Sequence, residues 1–255
     1  MDVTISGDPR RTLCVALHGG ARMLAMCDGF GTVDGEPIAQ TTLRALHSAM
    51  GARARGARFS NTLSRPKSVA SMLISTLAGV NAYLYRRSAS HDDYVTCGAS
   101  MSVILLVGNR AYLAHVGNTA AYLSRSGYMI SLTKDDSFVF DVPTGGAVAV
   151  SAHPPVLMRA LGTAPQVELS VCNFRVAGDD AVVLSNKRFS GFEDRRALSG
   201  WMLHGRPPVD LGDRTVLVSR PGPAVQDNTA GSIRALGARP LGAGIIMFLL
   251  FMLLA

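Results

Sequence analysis

The chain has 255 residues, of which 48% are apolar, so it is long enough to form one large domain or two small ones with a substantial core. Its formal net charge of +7 permits an acidic partner, but no aromatic RNA-binding motif or zinc-finger spacing occurs, so we expect no nucleic acid partner. The four cysteines are scattered without a C-x-x-C pair, which argues against a zinc site or disulfide framework and predicts buried free thiols.

The first half of the chain predicts a β-hairpin followed by two helices. Two apolar runs, 13–17 and 23–27, are separated by a glycine-containing turn and predict the hairpin. Apolar residues at helical spacing predict helices over 37–50 and 67–87. The segment 51–64 between them predicts a basic loop.

This helical region is basic throughout. Between Pro37 and His91 there is no acidic residue, whereas the same stretch contains Arg44, Arg53, Arg55, Arg58, Arg65, Lys67, Arg86 and Arg87. Two interpretations follow: a solvated surface, or a surface that docks a phosphorylated or acidic protein segment without cleaving it.

The second half of the chain predicts a series of short strands. They fall at residues 100–107, 110–116, 120–124, 129–133, 167–175, 181–185 and 215–219, with a loop at 142–152. Pairs of strands surround the pair of helices without β-α-β alternation. This arrangement predicts the α+β class with antiparallel sheets.

The last fifteen residues, 241–255, contain no polar side chain. As a helix they would be about 22 Å long, which is short of the roughly 30 Å hydrocarbon core of a bilayer. A core helix or strand is one interpretation, and a membrane tail anchor is the other. Residues 221–240 are rich in Pro, Gly and Ala and predict a flexible linker. Arg234 and Arg239 lie on the domain side of the apolar run, which predicts a domain facing the cytoplasm.

Six fragments between about Gly7 and Arg220 resemble, in the same order, motifs of the PPM-type metal-dependent Ser/Thr phosphatases (protein phosphatase type 2C). They are 28–31 (family D-G-x-G), 117–123 (V-G-D-S-R-A-Y-L), 132–139 (L-T-x-D-H-S-L-V), 153–162 (H-P followed by R-A-L-G), 178–185 (G-D-x-x-L-L-C-S) and 213–218 (D-N-x-T-V-V). The resemblance implies a central sandwich of two antiparallel β-sheets with helices packed outside each sheet.

The resemblance also implies a set of site residues. Asp28 matches the aspartate that bridges two metal ions in the family, Gly29 matches a carbonyl ligand, and Asp213 matches the aspartate of D-N. Asn118 and Asn186 stand where the family has acidic metal ligands, so these two positions are degenerate.

The family's opening R-x-x-N-E-D is altered as well. Arg10 matches its phosphate-binding arginine, but Leu13, Cys14 and Val15 replace N-E-D. Lys187 adds a positive charge beside Asn186. Because each Asp→Asn change removes a full negative charge, we expect either no metal or weak binding of Mg²⁺ or Mn²⁺.

The sequence therefore predicts a phosphatase-like domain over 1–220, a linker over 221–240 and a hydrophobic tail over 241–255. The principal hypothesis is a catalytically inactive pseudophosphatase that acts as a membrane-tethered binding or scaffolding protein, with a phosphorylated or acidic protein as its partner. The rival hypotheses are a weakly active Ser/Thr phosphatase with a reduced metal site on Asp28 and Asp213, and a structural membrane protein that uses only the fold.

Overall fold

The computed structural model describes residues 2–56, 59–89, 97–138, 156–189, 192–204 and 212–220. The strands are β1 (Asp2–Ser6), β2 (Thr12–Ala16), β3 (Arg22–Phe30), β4 (Thr32–Val33), β5 (Glu36–Pro37), β6 (Gly98–Val107), β7 (Arg110–Val116), β8 (Ala120–Arg125), β9 (Tyr128–Ser131), β10 (Ser137–Phe138), β11 (Val156–Leu157), β12 (Ser170–Arg175), β13 (Ala181–Ser185) and β14 (Val216–Arg220). The helices are α1 (Ile38–Ala54), α2 (Phe59–Leu63), α3 (Pro66–Ala89) and α4 (Phe192–His204), with short 3-10 helices at Pro9–Arg11 and His18–Gly20.

Two five-stranded sheets form the centre of the domain. One has the order β1-β14-β13-β8-β9 and the other the order β12-β7-β6-β3-β2. Neighbouring strands in both sheets run antiparallel. The predicted α+β class with two antiparallel sheets and outer helices is therefore confirmed.

Three apolar clusters separate the layers. One lies between the two sheets and includes Met26 from β3 and Leu184 from β13. A second lies between the β6-containing sheet and helices α1 and α3. The third lies between the β13-containing sheet and α4, where Trp201 is buried. The order of the layers is thus helices, sheet, sheet, helix.

The burial of both faces explains the sequence of β6. Along this strand Met101, Val103 and Leu105 face the helices, whereas Ile104 and Leu106 face the other sheet. Because successive side chains of a strand point to opposite faces, a strand covered on both sides needs a continuous apolar run instead of an alternating one.

The prediction of a loop over 51–64 is wrong. Helix α1 continues to Ala54, and α2 occupies Phe59–Leu63. Phe59 and Leu63 are buried in the cluster under the helices, so tertiary packing stabilises a helix that is too short to be stable by itself. Two elements were not predicted from the sequence: β1, which pairs with β14, and α4, in which four charged residues follow Phe192.

The prediction of buried free thiols has a mixed outcome. All four cysteines are free, but only Cys27 and Cys97 are buried, so the prediction of buried thiols is wrong for Cys14 and Cys172. Those two lie on β2 and β12, the edge strands of one sheet.

The predicted linker and hydrophobic tail, 221–255, lie outside the described residues, as do the loop over 142–152 and the His-Pro motif at 153–154. Within the described part, one helix, Pro66–Ser88, has the length and apolar composition of a membrane span. Its residues Val69, Leu73 and Leu77 are fully buried in the domain core, which accounts for this composition without a membrane.

Candidate functional site

Four of the residues singled out by sequence lie at neighbouring strand ends. Asp28 on β3 pairs directly with Ser100 on β6, and the Ser100 hydroxyl accepts a hydrogen bond of 3.3 Å from the Asn118 backbone N–H. Asn186 directly follows β13, and Asp213 lies in the loop before β14, the strand that pairs with β13. The antiparallel sheets therefore bring these distant positions to one region.

The Asp28 carboxylate is engaged by a cation of the chain itself. Arg11 donates a hydrogen bond from its guanidinium to Asp28 Oδ1, and the two side chains form an ion pair. The same oxygen accepts from the Gly29 N–H at 3.0 Å. Arg11 thus places a positive charge directly on the carboxylate that the family resemblance assigns to a metal.

The position of Arg11 is fixed by the 3-10 helix Pro9–Arg11. Asp8 caps this helix by accepting a 3.0 Å hydrogen bond from the Arg10 N–H, and the Asp8 N–H donates to the Thr215 hydroxyl at 3.0 Å. Gly7 allows this close approach, since its φ is +94° and a Cβ there would lie 2.5 Å from the Arg214 carbonyl oxygen.

Asp213 carries a second cation. The Lys187 ammonium donates to Asp213 Oδ2, and this hydrogen bond lowers the pKa of the Asp213 carboxyl. The charges of Lys187 and Arg11 lower the same pKa further. The Asp8 N–H donates to Thr215, two residues after Asp213, so the segment that carries Arg11 lies beside the loop of Asp213. We call Asp28, Arg11, Asp213 and Lys187 the paired-acid cluster.

The Asn186 side chain is committed to the backbone. Its amide oxygen accepts from the Thr215 N–H at 2.7 Å, and its amide nitrogen donates to the Asp213 carbonyl at 3.4 Å. The residue is only 1% exposed. Asn186 therefore holds the loop that carries Asp213 in place, with its oxygen already engaged.

The residues present do not fit a pair of divalent cations. Mg²⁺ and Mn²⁺ sites need several carboxylate or carbonyl oxygens, whereas this cluster offers two carboxylates that each bind a cationic side chain. Within the described ranges, no group of three or more His, Cys, Asp or Glu side chains is close enough to hold a metal ion.

Arg10, the predicted phosphate-binding residue, forms its ion pair with Asp8 at 2.9 Å, and its side chain is 68% exposed. The residue that reaches the cluster is the neighbouring Arg11, which the sequence analysis missed. The sequence does not show whether Arg10 or Arg11 contacts Asp28, because the directions of the two side chains depend on the 3-10 geometry.

Gly29, the predicted carbonyl ligand, has a packing role. A Cβ at this position would lie 2.6 Å from the Ile38 side chain and 2.9 Å from the Gly98 carbonyl oxygen. The start of α1 and the start of β6 therefore approach the β3 backbone too closely for a side chain.

A buried polar network lies on β6 and β7 near this region. His115 Nε2 donates to the Lys134 carbonyl at 3.0 Å, and Nδ1 accepts from the Ser102 hydroxyl at 3.0 Å. The Ser102 oxygen in turn lies 2.9 Å from the Thr119 hydroxyl. Burial lowers the pKa of His115, so the imidazole is neutral and both of its nitrogens are used.

This histidine makes the stability of the domain sensitive to acid. Below about pH 6.5 the unfolded chain takes up a proton on His115 that the folded protein does not, so the free energy of unfolding falls as the pH falls. Above that pH the contribution is constant. Urea titrations at pH 7.5, 6.5 and 5.5 are expected to show a smaller acid-side loss in His115→Gln, by up to about 1.4 kcal/mol per pH unit.

The matched control for this experiment is His18→Gln, which changes an exposed histidine. This residue lies outside the buried network, so an equally reduced acid-side loss in this variant would show that the loss does not report on His115. An unchanged slope in His115→Gln would contradict the assignment of a buried neutral imidazole, even if the variant were less stable at every pH.

Comparison with known proteins gives consistent results at the levels of sequence and fold. Residues 21–138 match the family Protein phosphatase 2C. The serine/threonine protein phosphatase PstP of Mycobacterium tuberculosis is 28% identical over 181 residues, which cover 69% of this chain and 33% of PstP. The chain thus matches about a third of the length of this curated relative.

Solved structures share the fold. A serine/threonine phosphatase of S. agalactiae superposes with a TM-score of 0.60 at 16% identity, covering 85% of this chain and 97% of that one. The catalytic domain of PstP, solved in complex with two manganese ions, superposes with a TM-score of 0.55 at 21% identity, covering 85% of this chain and 96% of that one.

Proposed function

We propose that this chain, which carries a protein phosphatase 2C domain with homology to PstP, is a pseudophosphatase, a binding or scaffolding protein that keeps the fold without the metal-dependent reaction. The observation that carries the proposal is the paired-acid cluster. Arg11 and Lys187 neutralise the carboxylates of Asp28 and Asp213, where the family resemblance places metal ligands.

Electrostatic repulsion between a divalent cation and the side chains of Arg11 and Lys187 favours this function. A dication that approached Asp28 or Asp213 would have to displace a cationic side chain or tolerate it at close range. Two unit charges 4 Å apart repel by about 4 kcal/mol at an effective dielectric near 20, and the charge of a dication doubles that figure. With Asn118 and Asn186 in place of acids, little negative charge remains to offset this repulsion.

The proposed setting is the cytosolic face of a membrane. Residues 241–255 would serve as a tail anchor and 221–240 as a linker, because the apolar run follows a Pro- and Gly-rich segment with flanking arginines. The proposed partner is a phosphorylated or acidic protein segment, which suits the excess of cationic side chains between residues 44 and 87.

The second candidate function is a weakly active metal-dependent Ser/Thr phosphatase. Two observations favour it: Asp28 and Asp213 are retained, and the compared relatives are phosphatases, one of them solved with two manganese ions. In this case Mg²⁺ or Mn²⁺ would bind weakly, in competition with Arg11 and Lys187.

Turnover of a phosphothreonine peptide separates the two candidates. The full chain, purified in mild detergent, is assayed with Mn²⁺ beside its Asp28→Ala variant, with the PstP catalytic domain as a positive control. Because the paired-acid cluster does not fit two dications, we expect the wild type to release no more phosphate than the variant. Manganese-dependent turnover that disappears in Asp28→Ala would make the chain an enzyme and overturn the proposal.

A further inference from the structure

The helical layer contains an elongated groove far from the paired-acid cluster. The last turn of α1, the helix α2 and the first turns of α3 enclose a cavity of about 630 Å³, and a second cavity of about 440 Å³ adjoins it. Both cavities have Thr62 and Ser68 in their walls, so they form one continuous depression, which we call the helix groove. Arg53 in its wall lies about 22 Å along the axis of α1 from Ile38, the residue that packs on Gly29.

The helix groove is cationic. Arg53 and Lys67 line the larger cavity and Arg65 lines the smaller one, with no acidic residue in either wall. None of the three forms an ion pair with another residue in the described ranges. Other cations of the helical layer differ, since Arg44 pairs with Glu36 and Arg87 with Asp34.

Neutral donors surround the same cations. Ser68 and Ser71 line the larger cavity beside Lys67, and neither hydroxyl has a hydrogen-bond partner within the part of the chain that the structure describes. The groove also contains the start of α3, where the Val69 N–H donates to the Arg65 carbonyl and the amides of Lys67 and Ser68 have no acceptor within the helix. Cations, hydroxyls and free amides together are the donor set that phosphate groups prefer.

The shape of the groove indicates what carries the phosphate. The larger cavity has the apolar side chains of Phe59 and Met72 in its wall, whereas the smaller one is lined by polar residues and Arg65. An extended segment could place a phosphorylated side chain at Arg53 and Lys67 and continue past Ser68 toward Arg65. Free phosphate would use only a fraction of this length.

We propose that the helix groove binds a phosphate monoester on an extended protein segment, at a site separate from the paired-acid cluster. The inference rests on the proposed binding function but not on the absence of catalysis. A phosphorylated segment fits better than a membrane surface, because Arg53 is half-buried and Phe59 and Met72 line the same cavity, so part of the charge and the apolar contacts lie inside a depression that a bilayer surface cannot enter.

The decisive experiment measures the affinity of the full chain for a fluorescein-labelled phosphothreonine peptide and its unphosphorylated twin by anisotropy. EDTA is present so that the probe is not hydrolysed. The wild type is expected to bind the phosphopeptide at least about tenfold more tightly. Arg53→Gln/Lys67→Gln is expected to lose this preference.

A control variant and a lipid measurement test the assignment of the phosphate to the helix groove. Arg110→Gln/Arg175→Gln removes the same charge from the exposed β7–β12 edge and is expected to bind like the wild type. An equal loss in this control, or equal affinity for both peptides in the wild type, would overturn the inference. So would binding to phosphatidic acid vesicles without binding to the phosphopeptide.

Loss of phosphopeptide binding in Arg11→Gln but not in Arg53→Gln/Lys67→Gln would move recognition to the paired-acid cluster. That outcome would sink the helix-groove inference while leaving the proposed binding function intact. Conversely, metal-dependent turnover in the assay above would remove the pseudophosphatase proposal without changing the result expected for the groove.

Discussion

Replacing Asn118 and Asn186 by aspartate and Lys187 by glycine is expected to raise the affinity for Mn²⁺ by at least about a hundredfold. The three changes add two carboxylates and remove one ammonium group from the neighbourhood of Asp28 and Asp213. Each of the three changes adds up to several kcal/mol of attraction for a dication at an effective dielectric near 20. The expected hundredfold gain in affinity is smaller than their sum because solvent screens the charges. Isothermal titration calorimetry of both proteins measures the gain directly.

The same triple variant is expected to lose stability without metal and to recover it with Mn²⁺. Asn186 is buried, so an aspartate there places a buried negative charge beside the loop of Asp213 and loses the amide that donates to the Asp213 carbonyl. Bound Mn²⁺ would neutralise both acids, and its binding energy would raise the melting temperature. A melting temperature that falls in the variant and does not respond to Mn²⁺ would contradict the proposal that these three residues weaken metal binding.

The control carries the same change in charge at the far end of the β6–β7 sheet. Asn109→Asp, Arg110→Gln and Asn173→Asp change the net charge by the same three units at residues that pair or lie beside each other there. This variant is expected to bind Mn²⁺ no better than the wild type. A comparable gain in the control would mean that overall charge, and not the cluster, governs metal affinity.

Gly117→Ala is expected to destabilise the domain by about 4 kcal/mol. Gly117 has a φ of +94°, and a Cβ there would lie 2.2 Å from Ser100 Oγ and 2.9 Å from its Cα. The clash therefore involves the backbone of β6 as well as a side chain, so a simple rotation cannot relieve it. It would also break the hydrogen bond between Ser100 and the Asn118 N–H. Urea unfolding followed by the fluorescence of Trp201, the single tryptophan of the chain, measures the loss.

Gly127→Ala separates strain in φ from the steric clash. Gly127 has a φ of +80°, but a Cβ there would meet nothing within 4 Å. This control is expected to cost only about 1 kcal/mol, the conformational penalty alone. Equal losses in the two variants would show that close packing against Ser100 does not restrict position 117.

The sequence by itself determined the architecture and the positions at which this chain differs from the family pattern. The apolar run 103–107 predicts a strand, and helical spacing predicts the cores of α1 and α3, because these signals depend on neighbours along the chain. The motif order identified the matching region, and reading Asn118 and Asn186 against the family pattern located two missing charges without any coordinates.

Only the tertiary structure decided how the remaining charges pair. That Arg11 reaches Asp28 while Arg10 binds Asp8 follows from the 3-10 helix Pro9–Arg11 and its attachment to Thr215. Likewise, α2 and the helix groove form because Phe59 and Leu63 pack on an apolar surface contributed by distant segments of the chain. Ion pairs and short helices depend on contacts between residues far apart in sequence, and local sequence patterns do not predict those contacts.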